Sequence, residues 1–428
     1  MRIVIYDPSG RGGIGHYTYQ LAQSLALMGS DVTVVTNENY ELKHLPRNFN
    51  ITVLFKKSWI KGWARGLIAP LRKRSSDYYN TSALQGGPQT DKKIPTLGFL
   101  RSLRLRIIWL KAAFLFIWKR PHLIHFQWVV DHNQEWFFIK LLQLLHFKIV
   151  YTVHDIFPLE SDAHLDYEAL KTTYRKVDAL IVHAENTKKE FVSAFDVDPA
   201  KVYVIPHGSN DLFYKEQMIP KEVARERLNL SQGKQVILFF GAIKRYKGLE
   251  YLVEAFRQVK ERVDNVVLLI AGKIYDKHAK DFEYYARLID ELRSHDDVIC
   301  VADYIPFETI GCYFSAADMV VLPYTKTYTS GVLLAAYAAG RPVVVTDTGA
   351  LREVVEPGKS GVIVPPKDSR ALARAIIHIF KSSDIEAMGR YAKHLAQTRY
   401  SWETVASKTT DLYQSLVSQS NVKPCSRI

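Results

Sequence analysis

The part of the chain that most constrains the fold lies between positions 317 and 366. Two short apolar stretches there, 319–322 and 342–345, have the length and β-branched content of buried parallel strands. A helix-length segment between them opens at Thr329-Ser330-Gly331. This order predicts a helix N-terminus at the carboxyl edge of a parallel sheet. Because free backbone N–H groups and the positive end of the helix dipole meet there, the pattern predicts a phosphate or nucleotide site.

Strand and helix signals alternate along the chain in two series, which implies parallel sheets with right-handed crossovers. With 428 residues and 47% hydrophobic content, the chain is large enough for two such domains. We expect a hinge at 206–234 and three helices after Ser369, the last of them capped by Ser401. The predicted strands are 2–6, 31–36, 123–126, 148–153, 179–182 and 201–205, then 235–240, 266–271, 298–302, 319–322, 342–345 and 361–364.

Six further motifs accompany the 317–366 run in a fixed order. They are GGIGHYTYQLAQSLALMGSDVTVVT at 12–36, TVHDIFP at 152–158, VIPHG at 204–208, FFGAIKRYKGLEYLVEAF at 239–256, LLIAG at 268–272 and ADYIPFETIGCYFSAAD at 302–318. Together they resemble the retaining glycosyltransferases of family 4, which have the GT-B fold. The resemblance implies an α/β protein with two Rossmann-like domains facing each other across a cleft.

The resemblance also implies a division of labour between the domains. Residues 1–214 would form an acceptor-side domain, residues 215–399 a nucleotide-sugar-binding domain, and a C-terminal helix at 400–418 would cross back onto the first domain. The implied reaction moves a sugar from a nucleotide-diphosphate donor, a UDP-sugar or GDP-sugar, to an acceptor with retention of configuration. It needs no metal, other cofactor or protein nucleophile, because the leaving phosphate helps to deprotonate the acceptor. The expected acceptor is a lipid-linked saccharide in cell-surface polysaccharide or glycan synthesis.

The glycine loop GRGGIG at 10–15 follows a predicted strand and opens a helix. It fits a dinucleotide-binding pattern, with Glu38 at the distance expected of a ribose-binding acid, so a nicotinamide-dependent oxidoreductase is an alternative. That alternative leaves the second domain and its Ser330-Gly331 helix start unexplained. By resemblance, Gly12, Gly13 and Gly15 approach the leaving diphosphate and the acceptor.

Histidines at predicted strand ends are candidates for catalysis. His154 follows the strand at 148–153, and α/β sheets gather ligands at this edge. By resemblance His154 is catalytic and lies beside the transferred sugar, where it donates to a hydroxyl or stabilises developing charge. The alternative is a structural histidine bonded to a loop carbonyl. For His125 and His207 the structural interpretation is favoured.

A cationic turn follows the strand that ends at Gly241. By resemblance an arginine and a lysine from this turn contact the diphosphate, and Lys247 matches the lysine. Ala242 occupies the usual arginine position, so Lys244 or Arg245 would substitute, with Arg245 and Lys247 catalytic. Fixed cations stabilise the charge that develops on the leaving diphosphate. The remaining donor-binding residues are expected to be Thr329, Ser330, Gly331 and Val332 for the phosphates, and the backbone of Tyr304 and Ile305 for the base.

The chain departs from the resembled family at two glutamates that usually lie eight positions apart. Thr327 and Ala335 occupy these positions. In the family the two carboxylates hold the donor sugar and the ribose, so the departure puts the ribose contacts in question. It also motivates a third alternative, a noncatalytic GT-B partner protein.

The formal net charge is +13, and two basic segments rich in large apolar residues, 56–74 and 101–120, carry much of the excess. Such segments suit an anionic membrane interface. We assign 56–74, with Trp59 and Trp63, to the membrane, and 112–118, which is too short to span a bilayer, to the domain core. A nucleic-acid acceptor is disfavoured because the basic residues are mixed with apolar ones.

Three cysteines, Cys300, Cys312 and Cys425, have neither metal-site spacing nor the pattern of a disulfide framework. The N-terminus MRIVIYDPSG leads directly into a strand and lacks the features of a secretory signal. We therefore expect a cytoplasmic enzyme, peripheral on the inner face of the cell membrane. A polar loop is expected at 75–96.

Overall fold

A computed structural model describes most of the chain and contains two parallel β-sheets. The described residues are 1–55, 95–128, 132–157, 159, 167–209, 219–275, 279–382 and 384–421. The first sheet has the strand order β3-β2-β1-β4-β5-β6-β7. Its strands are β1 (Arg2–Tyr6), β2 (Asp31–Asn37), β3 (Asn50–Phe55), β4 (Leu123–Phe126), β5 (Lys148–Thr152), β6 (Ala179–Val182) and β7 (Val202–Val204).

The second sheet has the order β10-β9-β8-β11-β12-β13. Its strands are β8 (Gln235–Phe240), β9 (Val266–Ala271), β10 (Val298–Val301), β11 (Met319–Leu322), β12 (Val343–Thr346) and β13 (Gly361–Val364). Its helices are α6 (Lys221–Arg227), α7 (Leu249–Lys260), α8 (Ala279–Leu292), α9 (Ile310–Ala316), α10 (Gly331–Ala338), α11 (Leu351–Val354), α12 (Ser369–Ser382) and α13 (Ile385–Gln397).

The remaining helices cover the two faces of the first sheet. They are α1 (Gly12–Leu27), α2 (Pro95–Lys119), α3 (His132–Leu144), α4 (Tyr167–Lys176), α5 (Glu185–Phe195) and α14 (Trp402–Asn421). Because side chains alternate along a strand, Ile3 and Ile5 of β1 pack with α1, whereas Val4 and Tyr6 pack with Phe116 of α2. Helices α2 to α5 thus cover one face, and α1 and α14 cover the other.

Helix α14 returns from the end of the second domain to the first. The indole of Trp402 packs 5.1 Å from the ring of Tyr17 in α1, and the indole N–H donates to the Ser209 carbonyl. Further along, the Tyr413 hydroxyl lies 2.5 Å from His125 Nδ1 in β4. The predicted crossing helix is confirmed.

The 317–366 run forms the predicted strand, helix and strand. Strands β11 and β12 pair in parallel, with Val320 opposite Val343, and α10 lies between them in the chain. The helix is buried from Leu333 to Ala338, which explains its small and apolar residues. This predicted unit is therefore confirmed, and the two separate parallel sheets confirm the two-domain α/β architecture.

Twelve predicted strands match observed ones to within one residue at each end, but β3 was not predicted. It is the edge strand of the first sheet, and its run NITVLF is only partly buried. The predicted loop at 75–96 lies outside the described residues except for 95–96, which begin α2, and the membrane segment at 56–74 lies wholly outside them. Among the described helices, none is both long and apolar enough to cross a bilayer.

Candidate functional site

The N-terminus of α10 is built as the sequence predicts. Ser330 is its N-cap, and its hydroxyl accepts a hydrogen bond from the Leu333 N–H at 3.3 Å. Gly331 and Val332 are half-buried and follow at the first turn. The N-terminus therefore directs backbone donors toward the carboxyl edge of the second sheet.

A short 3-10 turn, Arg245–Lys247, lies beside α10. Lys247 Nζ donates to the Tyr324 hydroxyl at 2.7 Å and lies 3.9 Å from the centroid of that ring. Gly248 follows with φ +66°, and a Cβ at this position would be 2.1 Å from the Pro323 carbonyl oxygen. Only glycine adopts this left-handed backbone without strain and leaves room for the Pro323 carbonyl. Gly248 therefore fixes the turn that carries Lys247 against the loop after β11.

Three lysines of the second domain act electrostatically on Asp155 of the first. Burial raises the pKa of Asp155 to about 6, while Lys247, Lys244 and Lys326 act electrostatically to lower it. Asp155 follows β5, so the three lysines, here termed the lysine cluster, lie across the cleft from the carboxyl edge of the first sheet. Fixed cations beside a helix N-terminus suit a diphosphate.

The structure does not bring Arg245 to this cluster. Its guanidinium pairs with Asp281 of α8 at 2.8 Å, and its side chain is 76% exposed. Because a 3-10 turn repeats every three residues, Lys244 and Lys247 lie on one side of it, whereas Arg245 lies on another side and reaches Asp281 of α8. The expected catalytic role of Arg245 therefore has no support from the geometry.

The three glycines of the first-domain loop differ in environment. Side-chain atoms added at Gly12 or Gly13 would meet no atom within 4 Å, so both face open space. A Cβ at Gly15 would lie 2.8 Å from the Gly10 carbonyl carbon, so Gly15 allows α1 to pack closely on the loop. Gly12 and Gly13 remain candidates for ligand contact, whereas Gly15 has a packing role.

Glu41 joins this loop to the second domain. Its Oε2 accepts from the Gly12 N–H at 2.9 Å and lies 3.5 Å from His16 Nε2, while its Oε1 accepts from the Tyr304 hydroxyl. Burial favours the neutral carboxyl, but His16, the Tyr304 hydroxyl and the Gly12 N–H outweigh it and lower the pKa of Glu41 to about 2. The carboxylate is therefore an ionised bridge across the cleft.

A second bridge lies at the other side of the interface. Glu353 of α11 accepts from the N–H groups of Glu185 and Asn186, at 2.8 and 2.7 Å, at the N-terminus of α5. The Asn186 side-chain amide donates to the Gly349 carbonyl. A carboxylate of one domain thus caps a helix of the other.

His154 lies at the expected strand end and is 7% exposed. Its Nε2 is 3.1 Å from the Gln127 side-chain amide, and its Nδ1 is 3.3 Å from His183 Nε2. His183 Nδ1 lies 3.0 Å from the Ile205 carbonyl, which can only accept, so neutral His183 donates there and presents an acceptor at Nε2. Gln127 Oε1 and His183 Nε2 are both acceptors, so neutral His154, with its single N–H, donates to only one of them at a time, and donation to a sugar requires the release of that partner.

Burial keeps these histidines neutral. It lowers the pKa of His154 and that of His183, the latter to about 3, with neighbouring histidines adding to the effect. His125 is fully buried between Tyr413 and Thr152, as the structural interpretation expects. A small pocket between the domains lies beside this group and is lined by His183, His207, Thr329, Ser330, Leu333, Leu334, Ala350, Leu351, Val354 and Tyr400.

The remaining predicted positions lie near the cleft in different settings. The Thr327 hydroxyl donates to the Thr329 carbonyl at 2.8 Å, and Ala335 is buried within α10. Ile305 is nearly buried, and the N–H of Tyr304 donates to the Asp303 carboxylate at 2.6 Å, so this N–H already has a partner.

Sequence reasoning missed Glu41, Lys326 and Glu353. Each acts at or across the interface with a residue far away in the chain; Glu41 and Tyr304, for example, are 263 positions apart. The sequence contained one signal for two of them. Glu41 follows β2 and Lys326 follows β11, so each lies after a strand at the carboxyl edge of its sheet.

Family models match both halves of the chain. The model described as Glycosyltransferase Family 4 matches residues 11–211, and the one described as Glycosyl transferases group 1 matches residues 234–382. The chain is 28% identical over 307 residues to a D-inositol 3-phosphate glycosyltransferase of Corynebacterium jeikeium, covering 69% of this chain and 72% of that protein. It is 26% identical over 226 residues to the lipopolysaccharide 1,2-N-acetylglucosaminetransferase of Salmonella typhimurium, covering 51% and 58% respectively.

Solved structures share the whole fold. Sucrose-phosphate synthase from Thermosynechococcus elongatus superposes with a TM-score of 0.72 at 22% identity, covering 98% of this chain and all of that one. Anabaena HepE in complex with UDP and glucose has a TM-score of 0.71 at 18% identity, covering 97% and 100%. With two matched models and two facing α/β domains, the chain belongs to the family 4 glycosyltransferases and has the GT-B fold.

Proposed function

We propose that this glycosyltransferase uses a nucleotide-diphosphate sugar as donor and a saccharide on a lipid carrier as acceptor, at the inner face of the cell membrane. Lys247, held by the hydroxyl and ring of Tyr324, which in turn bonds the N-cap Ser330 of α10, is the observation that carries the donor part of this proposal. A related fold, Anabaena HepE, has been solved with UDP-glucose. One relative, named as a lipopolysaccharide 1,2-N-acetylglucosaminetransferase, supports a glycan acceptor.

The proposed chemistry follows from the charges in the cleft. As the sugar–phosphate bond breaks, new negative charge develops on the diphosphate, and Lys244, Lys247 and Lys326 stabilise it. The acceptor oxygen bonds to the anomeric carbon on the face that the diphosphate leaves, and the leaving phosphate takes the proton of the acceptor hydroxyl, so the configuration is retained without a protein nucleophile. His154 remains a proposed contact of the transferred sugar once Gln127 or His183 releases it.

A panel of nucleotide sugars tests this function. UDP-, GDP- and ADP-linked hexoses are incubated with the protein and with saccharide acceptors, in chelator and in added Mg²⁺. We expect release of one nucleoside diphosphate with a product of unchanged anomeric configuration, equally fast under both conditions. If no donor reacts and calorimetry detects no nucleoside diphosphate binding, the proposal is wrong.

A noncatalytic GT-B protein is the second candidate, and Thr327 and Ala335 favour it because neither supplies a carboxylate. Tight binding of a nucleoside diphosphate without turnover of any donor in the same panel would support this candidate over the enzyme. The family models match glycosyltransferases over both halves of the chain, so they give no support to the alternative of a nicotinamide-dependent oxidoreductase.

A further inference from the structure

Large hydrophobic side chains are exposed together on two neighbouring helices of the first domain. Eight of the thirteen exposed large hydrophobic residues in the described part of the chain lie between positions 107 and 145. Soluble monomers rarely expose apolar side chains in such a concentration without a function for them. The six most informative, here termed the apolar face, are Leu110, Phe114, Ile117 and Trp118 of α2 and Phe137 and Leu144 of α3.

Helix α2 has two apolar sides. Its inner side, which includes Trp109 and Phe116, packs in the core of the first domain. Its outer side is exposed, with Phe114 at 72% and Trp118 at 73%. A helix that covers a sheet normally has one apolar stripe and a polar outer side, and the second stripe of α2 is not needed to pack it on the sheet of the described domain. The expectation that 112–118 belongs to the core is therefore confirmed for the inner side alone.

Helix α3 extends the apolar face beside α2. The rings of Trp109 and Phe138 stack at 5.9 Å, which joins the two helices in one layer on the sheet. On the outer side of that layer, Phe137 is 56% exposed and Leu144 is 69% exposed. The two stripes together form a surface two helices wide.

Basic residues border this surface. With 3.6 residues per turn, Arg106 lies on the same side of α2 as Ile117, about three turns away along the axis, at one edge of the stripe, and Lys111 lies on the same side as Trp118, about two turns away, at the other edge. Both Arg106 and Lys111 are exposed. Helix α2 contains no acidic residue, and its basic residues are Arg101, Arg104, Arg106, Lys111 and Lys119.

We propose that the apolar face of α2 and α3 docks the protein onto an anionic lipid bilayer. The aromatic and aliphatic side chains enter the headgroup and acyl boundary, and the bordering cations meet anionic headgroups. A second copy of the chain fits this surface less well, because pairing two α2 helices would bring like charges together. The inference rests on the proposed lipid-linked acceptor for its biological purpose, whereas its test does not use catalysis.

Vesicle flotation of the 428-residue protein tests the proposal. Wild type is mixed with phosphatidylcholine vesicles or with vesicles containing about one third phosphatidylglycerol, at low and high salt. The double variant F114S/W118S removes two aromatic side chains of the apolar face. The matched control F282S/Y284S removes two exposed aromatic side chains of α8 in the second domain, which are 47% and 49% exposed.

We expect wild type and the α8 control to float with the anionic vesicles, less so as salt rises, and F114S/W118S to lose at least about tenfold in partitioning. Equal flotation of wild type and F114S/W118S would overturn the proposal, as would a lack of preference for anionic vesicles. A loss of dimer by F114S/W118S in sedimentation without lipid, with no vesicle binding by wild type, would assign the face to self-association.

Two further measurements separate this proposal from the proposed function. Circular dichroism and thermal unfolding check that F114S/W118S folds as wild type does. Turnover with a water-soluble acceptor should be unchanged in this variant, because the apolar face lies outside the donor site. Vesicle binding without any transferase activity would count against the proposed function and leave the docking surface intact.

Discussion

Lys247 has a position that few other residues could occupy. The left-handed Gly248 fixes the turn that carries it, and the Tyr324 hydroxyl and ring hold its ammonium group at the mouth of the α10 N-terminus. A cation held in this way needs little reorganisation when charge develops on the donor. This separates it from Arg245, which has the same formal charge two positions earlier.

Replacement of Lys247 by alanine should lower kcat at least about a hundredfold, the effect typical of removing one preorganised charge stabiliser. Arg245→Ala is the matched control and should have a much smaller effect, because exposed ion pairs such as Arg245–Asp281 contribute about 0–1 kcal/mol. Steady-state kinetics with the donor selected by the panel provides the measurement. Near wild-type turnover of a folded Lys247→Ala protein would remove this residue from the site.

The positions Thr327 and Ala335 predict an unusual donor affinity. Neither can bind a ribose hydroxyl as a carboxylate does, so phosphate contacts at Ser330, Gly331 and Lys247 should dominate. Calorimetry with a nucleoside diphosphate and its 2′-deoxy and 3′-deoxy forms should show losses below about 1.5 kcal/mol, the upper range for one neutral hydrogen bond. A clearly larger loss for either analogue would reveal a strong ribose contact elsewhere.

Helix caps offer a comparison at the level of single elements. Ser330 caps α10 at the cleft, and Ser401 caps α14 with similar geometry, accepting from the Thr404 N–H at 3.1 Å. Either change to alanine should lower the free energy of unfolding by about 1 kcal/mol. Only Ser330→Ala should also weaken nucleoside diphosphate binding in calorimetry. Equal affinities of the two variants would mean that the α10 N-terminus does not hold the phosphates.

Histidines at the ends of neighbouring strands predict a dependence of stability on pH. Burial lowers the pKa of His125 and His183 to about 3 and that of His207 to about 4. The unfolded chain binds these protons near pH 6.5, so between about pH 6.5 and 4 it holds more protons than the folded chain. The stabilising effect is complete above pH 6.5 and is lost as the pH falls, by about 1.4 kcal/mol per pH unit for each histidine.

His183→Asn tests this directly, because asparagine keeps a donor for the Ile205 carbonyl and does not titrate. Urea unfolding from pH 7 to 4 should show a shallower slope for this variant than for wild type. The exposed His295→Asn provides the control and should keep the wild-type slope. Parallel curves for all three proteins would contradict the prediction.

The elements could be predicted well from sequence, and the contacts between them could not. Buried parallel strands such as β8 and β11 are continuous apolar runs bounded by turns, so their patterns are local. The edge strand β3 has a weaker pattern because it is covered on fewer sides. Lys247 could be identified from its Lys-Gly turn, whereas the contact of Glu41 with Tyr304 depends on how two domains pack and has no local signal.

At the scale of the whole molecule, two carboxylates hold the domains together at opposite sides of the cleft. Glu41 reaches from the first domain to Tyr304 of the second, and Glu353 reaches from the second to the N-terminus of α5 in the first. Hydrogen bonds to a charged group contribute about 1.5–3 kcal/mol each, enough to bias an opening motion. The two carboxylates therefore stabilise the arrangement of the domains that the structure shows.

Replacement of Glu353 by alanine should shift the protein toward an open form, because α5 loses its cap and the domains lose a contact. Small-angle scattering should show a larger radius of gyration for the donor-free variant, and a nucleoside diphosphate should reduce it. Glu386→Ala, a change in an 84% exposed side chain of α13, is the control. Identical scattering by the Glu353 variant and wild type would show that other contacts suffice for closure.

The return of α14 to the first domain has a consequence during protein synthesis. Tyr17 of α1 and His125 of β4 obtain their partners Trp402 and Tyr413 only after nearly the whole second domain has left the ribosome. Domains of most proteins fold in the order of their synthesis. Here the first domain cannot complete its packing until α14, the last helix, has been made. Until then one face of its sheet is incompletely covered, so the nascent chain needs protection from aggregation for longer than its domain order suggests.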